Sequence, residues 1–539
     1  MEVDRSISNQ AYDLIVIGGG INGAGVVRDA ALRGLNVILI EKGDFCSGTT
    51  SWSTRLIHGG LRYLEYFEFA LVRESLHERE ILLHIAPHLV KPLLLTIPIY
   101  RDRSRPYWKI QAGMVLYDGL SYDKTLPSHR MLPLPQFRQL FRSIAATNLR
   151  GGAQYYDGQV AYAERLVLEN VLAAAAAGAT VLNYVEVMQL NCTGDRITFL
   201  SCQNRLTGEE FVVSGNQTAI VVNTSGPWVD EVLSRQHGST SAVAGDRKIG
   251  GTKGSHIIVD PFPGVPQDSA VYVEAKSDGR PFFIVPWLGM VLIGTTDIPH
   301  TGGLDHLKAD NEEIDYLLKE TNALIPTAQL ARRDVKFTYA GVRPLPNSAG
   351  KQAGSITRRH SLFDHTVEGM TNLISLIGGK ITTYRQVGQE MVDLVYRKQN
   401  RPAPPCSTAD QSLPGAILPA DDRIRQAMQQ YRKQLSVETI AYLFSVYGAK
   451  ATAVLALTDA QPELAEVLIS PLADIKAQVV YAVRSEYART LVDITCRRTT
   501  IAMHADYGFK ALPGIVQVLE NYCGWTRAEC DRQIADYWK

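Results

Sequence analysis

The chain has 539 residues, with 55 Lys plus Arg against 55 Asp plus Glu, and 45% of it is hydrophobic. That neutral balance argues against a protein that coats nucleic acid, and the hydrophobic content argues against intrinsic disorder. Seven scattered cysteines with no C-x-x-C pair exclude a disulfide framework and a zinc ribbon, so no metal is expected and a reducing compartment is the simpler setting.

Residues 1–10 are polar and lack the apolar core of a signal peptide. Residues 13–17 (DLIVI) then form an apolar run, followed by Gly18-Gly19-Gly20-Ile21-Asn22-Gly23, an alanine-rich stretch to Arg33, and residues 36–40 (NVILI) ending at Glu41. This reads as strand, glycine turn, helix and strand. Gly18, Gly20 and Gly23 fit G-x-G-x-x-G, which lets the backbone turn tightly and brings a helix N-terminus to a pyrophosphate. Glu41 sits where a carboxylate binds ribose hydroxyls and disfavours a 2′-phosphate. The turn predicts a bound dinucleotide, but alone it does not separate FAD from NAD.

Residues 81–100 are apolar but contain Lys91, two His and three Pro, so they do not read as a spanning helix. Arg101, Arg103, Arg105, Tyr107, Trp108 and Lys109, followed by residues 111–120, form the best interfacial stretch; it is either a membrane contact or a buried helix. Residues 163–177 read as a helix, and 180–187 and 218–222 as strands, the last running into Asn223-Thr224-Ser225-Gly226-Pro227. Residues 254–260, 280–287 and 290–295 read as antiparallel strands with a turn at Leu288-Gly289. The spacing from Asp310 to Glu313 predicts a capped helix start. Residues 371–377 read as a strand, Gly378-Gly379 as a break and 381–397 as a helix. Arg401-Pro402-Ala403-Pro404-Pro405 is a linker, and the rest is helical.

Several segments stand between these elements. They are residues 49–64 (TTSWSTRLIHGGLRYL), Lys253-Gly254-Ser255-His256, Gly294-Thr295-Thr296-Asp297, Gly341-Val342-Arg343-Pro344-Leu345, and Gly378-Gly379-Lys380-Ile381-Thr382-Thr383-Tyr384-Arg385. With residues 481–491 and Arg497-Arg498-Thr499, and in this order, they resemble the FAD-dependent glycerol-3-phosphate dehydrogenases from about residue 11 to 500. Two departures are mild: Asn223-Thr224-Ser225-Gly226 where the family reads N-A-T-G, and Trp52 inside the serine-rich segment.

The resemblance implies an α/β plus α architecture. A Rossmann-like FAD-binding domain (11–80, 150–230 and 340–400) interleaves with an antiparallel-sheet substrate domain (81–149 and 231–339) on a D-amino-acid-oxidase-like plan, and an all-helical C-terminal domain follows (406–539). It implies FAD contacts from Gly18, Gly20, Asn22, Gly23, Glu41, Lys42, Thr49, Ser51, Ser53, Leu56, His58, Gly59, Gly60, Ser225, Gly226, Gly379, Lys380, Thr382 and Thr383. The substrate implied is sn-glycerol 3-phosphate, which loses a hydride from C2 to the flavin and a hydroxyl proton, giving dihydroxyacetone phosphate. Arg62, Tyr63, Lys253, Arg343, Arg358 and Lys380 are its expected binding residues, with Arg343 nearer the carbinol. His58 is the leading general base because imidazole titrates near neutral pH; the alternative is that Arg343 or Lys380 steers the proton. The helix after Gly379, with Lys380, is expected to stabilise charge on the reduced flavin.

The family also implies a peripheral protein at the inner face of the cytoplasmic membrane that passes electrons to quinone. The alternative acceptor is O2, giving H2O2, as in related oxidases that carry an extra insertion. No D-x-[DN]-x-[DN]-G calcium loop occurs near the C-terminus. A homodimer is compatible with the sequence, and nucleic acid is not an expected partner.

Overall fold

The strand Ala11–Ile17 feeds the helix Ile21–Leu32, which returns through the strand Val37–Ile40. The computed structural model describes residues 7–238, 247–347, 358–418 and 421–537. The two strands pair in parallel. Thr180–Leu182 continues this parallel order on one side, and the end of Glu210–Asn223 followed by Leu373–Ile377 continues it on the other. Val37–Ile40 and Leu373–Ile377 are buried at every position, as expected of strands covered on both faces. The helices Ile21–Leu32, Ala163–Ala176 and Tyr384–Lys398 supply core residues over this sheet. A Cβ on Gly388 would lie 2.8 Å from the Gly25 backbone, so two glycines let the first and last of these helices touch. The expected strand 180–187 is broken at Asn183 and Tyr184, the latter with φ 58°; its second half starts the antiparallel hairpin Val185–Thr193 and Arg196–Asn204. Among the described residues this sheet has nine strands.

The second sheet has ten strands among the described residues. Its pairs are antiparallel, except that Ala270–Glu274 lies parallel to Val90–Tyr100. Leu288 and Gly289 turn the hairpin from Pro281–Trp287 to Met290–Gly294 with φ of 50° and 76°, the two positive values of a tight hairpin turn. The apolar run 81–100 is the end of the helix Phe69–Ile85 and then the strand Val90–Tyr100. Asp310 caps the helix Asn311–Leu324 through a reciprocal capping box with Glu313.

The boundaries expected at 150 and 340 fall inside strands. Leu149–Val160 and Val335–Arg343 both pair within the second sheet, and Leu56–Ile57 joins it too. Leu149–Val160 hides from pattern reading because Gly151, Gly152 and Gly158 interrupt its apolar alternation. The glycines are steric: a Cβ on Gly152 would meet the Phe137 ring at 2.3 Å.

After the linker the chain is helical, with Val437–Tyr447, Ala451–Ala460, Lys476–Ser485 and Leu512–Tyr522 building their own core. Residues 437–460 are long and apolar enough to cross a membrane by composition, but Gly448 (φ 55°) divides them and half of the segment is buried against this core. A π-helical turn, Asp493–Arg498, carries two consecutive arginines onto Asp44, beside the nucleotide strand. Arg497 Nε and Arg498 Nη1 both lie 2.7 Å from Asp44 Oδ2, and Arg498 Nη2 donates to Oδ1 at 2.9 Å. Asn183 adds a fourth donor at 3.0 Å. Arg165 and Glu486 make a second buried pair across the same seam, at 2.7 Å.

Burial alone would raise the Asp44 carboxyl, but Arg498 and Arg497 more than offset it and hold it below the ordinary carboxylate range. Its stabilising effect is therefore present above the unfolded carboxylate's range and lost as pH falls through the depressed folded value. Asp44→Ala leaves two buried guanidinium groups uncompensated. The expected loss is about 3–5 kcal/mol, read as a drop in Tm by calorimetry.

Candidate active site

A cavity of about 840 Å³ lies between the two sheets and is lined by both, within the range of pockets that enclose sizeable ligands. One end is the glycine turn. Gly18 has φ 107°, and a Cβ there would strike the Thr224 and Ser225 backbone at 2.8 Å. A Cβ on Gly23 would lie 1.9 Å from the Gly18 carbonyl oxygen, so Gly23 closes the turn from behind and does not line the cavity. Thr224, one of the departures from the family pattern, donates its hydroxyl to the carbonyls of Ile17 and Gly18 at 2.9 and 3.0 Å and so braces this turn. Asn22 Oδ1 is buried without a hydrogen-bond partner among the described residues, beside Gly379 at φ 96°.

Glu41 lines the cavity, its two oxygens accepting from the backbone N–H groups of Gly19 (2.6 Å) and Gly43 (2.8 Å). Each oxygen keeps a further lone pair for a hydroxyl. Lys42 lies 4.6 Å over the Trp228 ring and 3.2 Å from Asp305. Trp228 and Asp305 both line this end; sequence reasoning missed them, although Trp228 directly follows the Gly226-Pro227 signal. Thr49, Ser53, Leu56, His58, Ser225, Gly226, Gly379, Lys380 and Thr382 also reach the cavity as expected. Trp52 is part of its wall, 5.4 Å from the Tyr339 ring, and Gly341 makes room for it.

Other expected contacts turn away from the cavity. Ser51 is buried and donates to the Cys46 carbonyl at 2.5 Å. Gly59 gives its N–H to the Tyr117 hydroxyl at 2.9 Å, and Gly60, at φ 78°, packs against Tyr63. Thr383 is buried beneath the turn that follows Lys380. Lys253 is a correction: its ammonium pairs with Glu313 (2.8 Å) and Asp310 (3.2 Å) at the start of a helix. The neighbouring Gly254 matters more, since a Cβ there would lie 2.4 Å from an Arg343 guanidinium nitrogen.

The other end of the cavity is cationic. Arg343, Arg358, Lys380, His58 and Tyr63 line it together. Asp297 binds Arg343 at 3.0 Å and Arg358 at 3.3 Å, one carboxylate oxygen each. Burial would raise Asp297, but the two arginines hold it below its usual range. Arg343 is braced further by Thr295 at 2.9 Å and Thr252 at 3.4 Å. Arg62 stands at the edge, 5.8 Å from the Tyr66 ring, and faces a neighbouring cavity. Burial, reinforced by Arg358, lowers Arg343 to about 10. Burial also lowers Lys380 to about 8, with Arg358 acting the same way and Glu74 and Asp157 opposing. Burial, then Lys380 and Arg358, push His58 down to about 3. The site therefore presents cations that repel one another and a neutral imidazole.

Residues 13–385 match the FAD dependent oxidoreductase family, and residues 406–530 match the C-terminal domain of alpha-glycerophosphate oxidase. The chain is 62% identical over 536 residues to a glycerol-3-phosphate dehydrogenase of Synechocystis sp., covering 98% of this chain and 96% of that protein. It is 34% identical to the mitochondrial glycerol-3-phosphate dehydrogenase of Bos taurus, covering 97% of this chain and 72% of that one. Among solved structures, the Bacillus halodurans glycerol-3-phosphate dehydrogenase complexed with FAD superposes with a TM-score of 0.77 at 28% identity, over 98% of this chain and 94% of the other. The glycine cradle and the unpaired Asn22 acceptor fit FAD as the cofactor. The chain belongs to the FAD-dependent oxidoreductases and, within them, to the glycerol-3-phosphate dehydrogenases.

Proposed function

We propose that this protein oxidises sn-glycerol 3-phosphate to dihydroxyacetone phosphate at the cationic end of the cavity and delivers the electrons to a membrane quinone. The observation that carries the first half is Arg343 and Arg358, yoked by Asp297, facing the same enclosed space as Lys380. Arg358 disfavours charge on both Arg343 and Lys380, so the group gains from a dianion, and a guanidinium fork matches phosphate oxygens. Arg343 and Arg358, with Arg62 at the rim, take the phosphate in this reading.

Bound FAD supplies the acceptor for the hydride that leaves C2. Gly18, Gly20 and Asn22 would hold its pyrophosphate, Glu41, Lys42 and Trp228 its adenosine, and Thr49, Ser53, Leu56 and Thr382 its flavin. The hydroxyl proton falls to Lys380. An imidazole with a value of about 3 is a weak proton acceptor at neutral pH, so His58 orients the substrate through a neutral ring. Lys380 at about 8 is neutral in about a tenth of molecules at pH 7 and accepts a proton readily.

A second, apolar cavity of about 230 Å³ supports the quinone half. Leu61, Leu64, Ile97, Ile99, Ile110 and Leu116 help to line it, with Tyr272 in its wall. Tyr272 stacks on Phe283 at 4.8 Å, and Phe283 meets the His58 ring edge-on at 6.1 Å, which links the two cavities through aromatic rings. The helix Tyr107–Leu120 forms one side. Its outer face is apolar and exposed, with Trp108 at 70% and Val115 at 59%, and Phe67 nearby at 79%. Such a face suits the interface of a bilayer by its apolar exposure, with the protein attached peripherally at the inner surface of the cytoplasmic membrane.

Anaerobic addition of sn-glycerol 3-phosphate to the holoprotein is expected to bleach the oxidised flavin absorbance; an unchanged spectrum refutes the substrate assignment. The acid limb of the flavin-reduction rate is expected near pH 8, with rate rising as Lys380 loses its proton. Lys380→Ala should remove that limb and slow reduction by about 10²–10⁴, whereas His58→Ala should keep it. Phe67→Ser combined with Trp108→Ser should weaken flotation with liposomes and turnover with a membrane quinone together, leaving anaerobic reduction intact. Stoichiometric H2O2 from wild type, with no gain from a quinone analogue, would favour oxygen instead.

A further inference from the structure

A lysine carries its nitrogen on a flexible stem, so a lysine that takes a proton from one particular hydroxyl needs something to hold that nitrogen still. Lys380 Nζ donates to the Ser75 hydroxyl at 2.5 Å. Among the described residues this is its one hydrogen bond, and no carboxylate pairs with it. Glu74, Arg358, Asp157 and Glu68 act on it only through their charge.

Ser75 is placed to accept. It lies within the helix Phe69–Ile85, fully buried, behind the cavity wall that Lys380 helps to form. Its own hydrogen goes back one turn to the Leu71 carbonyl at 2.7 Å, a bond that serine often makes inside helices. A hydroxyl has a single hydrogen, so the oxygen offers Lys380 only its lone pairs. On another side, Lys380 Nζ lies 4.9 Å from the centre of the Tyr63 ring, whose face attracts a cation. The helix that carries Ser75 is also tied to the segment that carries Lys380. Glu78, one turn beyond Ser75, accepts from Arg385 Nε at 2.9 Å, and both side chains are buried. Between Lys380 and Arg385, Thr382 accepts the His58 N–H at 3.2 Å. Both ends of the Lys380–Ser75 bond are therefore fixed by neighbours on their own elements.

From this arrangement we infer that Ser75 is a positioning residue for the oxidation: it accepts one N–H of Lys380 and so leaves the lone pair of the neutral amine for the substrate hydroxyl. This rests on the reading of Lys380 as the proton acceptor. In that step the substrate O–H breaks as a Lys380 N–H forms, and the electron pair of the C2–H bond leaves with the hydride to the bound flavin. Lys380 passes from amine to ammonium while its bond to Ser75 stays in place. A hydrogen bond from an ammonium is roughly twice as strong as one from a neutral donor, so Ser75 favours the protonated lysine that the transfer creates. Removing that bond disfavours the charged form, and Lys380 then loses its proton at a lower pH. The charged and titratable groups that face Lys380, namely Glu74, Glu68, Asp157, Arg358 and His58, together with the Tyr63 ring, are untouched by a change at Ser75.

The test follows the anaerobic flavin-reduction rate of the holoenzyme with saturating sn-glycerol 3-phosphate across neutral and alkaline pH. In wild type the rate should rise through about pH 8 to a plateau. In Ser75→Ala the rise should come near about pH 7, and the plateau should fall about tenfold as the nitrogen loses its fixed direction. FAD content and Tm should stay close to wild type, because alanine fits the space and suits a helix interior. Ser75→Cys should behave as Ser75→Ala does, because a thiol fills the site but accepts weakly, and it carries the test if Ser75→Ala does not retain FAD. A merely structural role would lower the plateau and leave the rise near pH 8; that result overturns the positioning role, as does a profile that superimposes on wild type. A wild type without the rise, or a rise that survives in Lys380→Ala, overturns Lys380 as the proton acceptor instead, and the role of Ser75 falls with it.

Discussion

The arrangement of the site follows from one electrostatic constraint: Arg343, Arg358 and Lys380 are held together at one end of a single cavity. Burial disfavours the charge on Arg343 and on Lys380, Arg358 adds to this at both, and Asp297, binding both arginines through a single carboxylate, offsets part of it at Arg343. The fold holds the group in place from several directions. Arg343 ends the strand Val335–Arg343, which pairs with Thr252–Val259, and the absent side chain of Gly254 clears the space its guanidinium occupies. Thr295 and Thr252 hold the same group by hydrogen bonds. Lys380 enters from the first sheet, after two consecutive glycines with positive φ. Preorganising these charges before substrate arrives keeps the reorganisation cost out of the reaction itself.

The same surroundings set His58 and Lys380 apart in how they titrate. Burial, and then the two neighbouring cations, drive the histidine to stay neutral, whereas burial brings the lysine only down toward working pH. The residue type that ordinarily titrates near neutrality is thus moved out of range, and one that ordinarily does not is moved into it. Sequence reasoning weighed His58 by its intrinsic chemistry. Burial overrides this first, and the charges that add to it belong to Lys380 and Arg358, about 300 residues away along the chain.

This marks what could be read in the sequence and what could not. Local signals were legible: the glycine turn and Glu41, the capping box from Asp310 to Glu313, the Leu288-Gly289 hairpin, and the proline linker. Each is fixed by backbone geometry within a few residues. Long-range partners were not legible. Lys253 looks like a substrate-binding residue from its motif, yet Glu313 and Asp310, at the start of a helix 57 residues on, claim it. Ser51 lies among residues that line the cavity, but its hydroxyl folds back onto Cys46. Leu149–Val160 lost its strand signature to glycines whose purpose is set by Phe137 and other distant groups. The π-helical turn that delivers both Arg497 and Arg498 to Asp44 has no short-range sequence signal at all.

The helix Tyr107–Leu120 shows why surface and site are not separable here. Its outward positions are apolar and exposed, while Tyr117 on its inner side accepts the Gly59 N–H and donates to buried Asp157. Gly59 follows His58 directly, and Asp157 is in turn fixed by Arg79. A shift of this helix would break a hydrogen bond to a backbone group beside the reacting centre and leave a buried carboxylate one donor short, at a cost of about 1–3 kcal/mol for the unsatisfied group. The helix is therefore held rigidly against the loop that carries His58, even though its far side is apolar and exposed. Net neutrality over the whole chain hides this pattern: cations gather at one end of the first cavity, and an apolar face stays exposed beside the second.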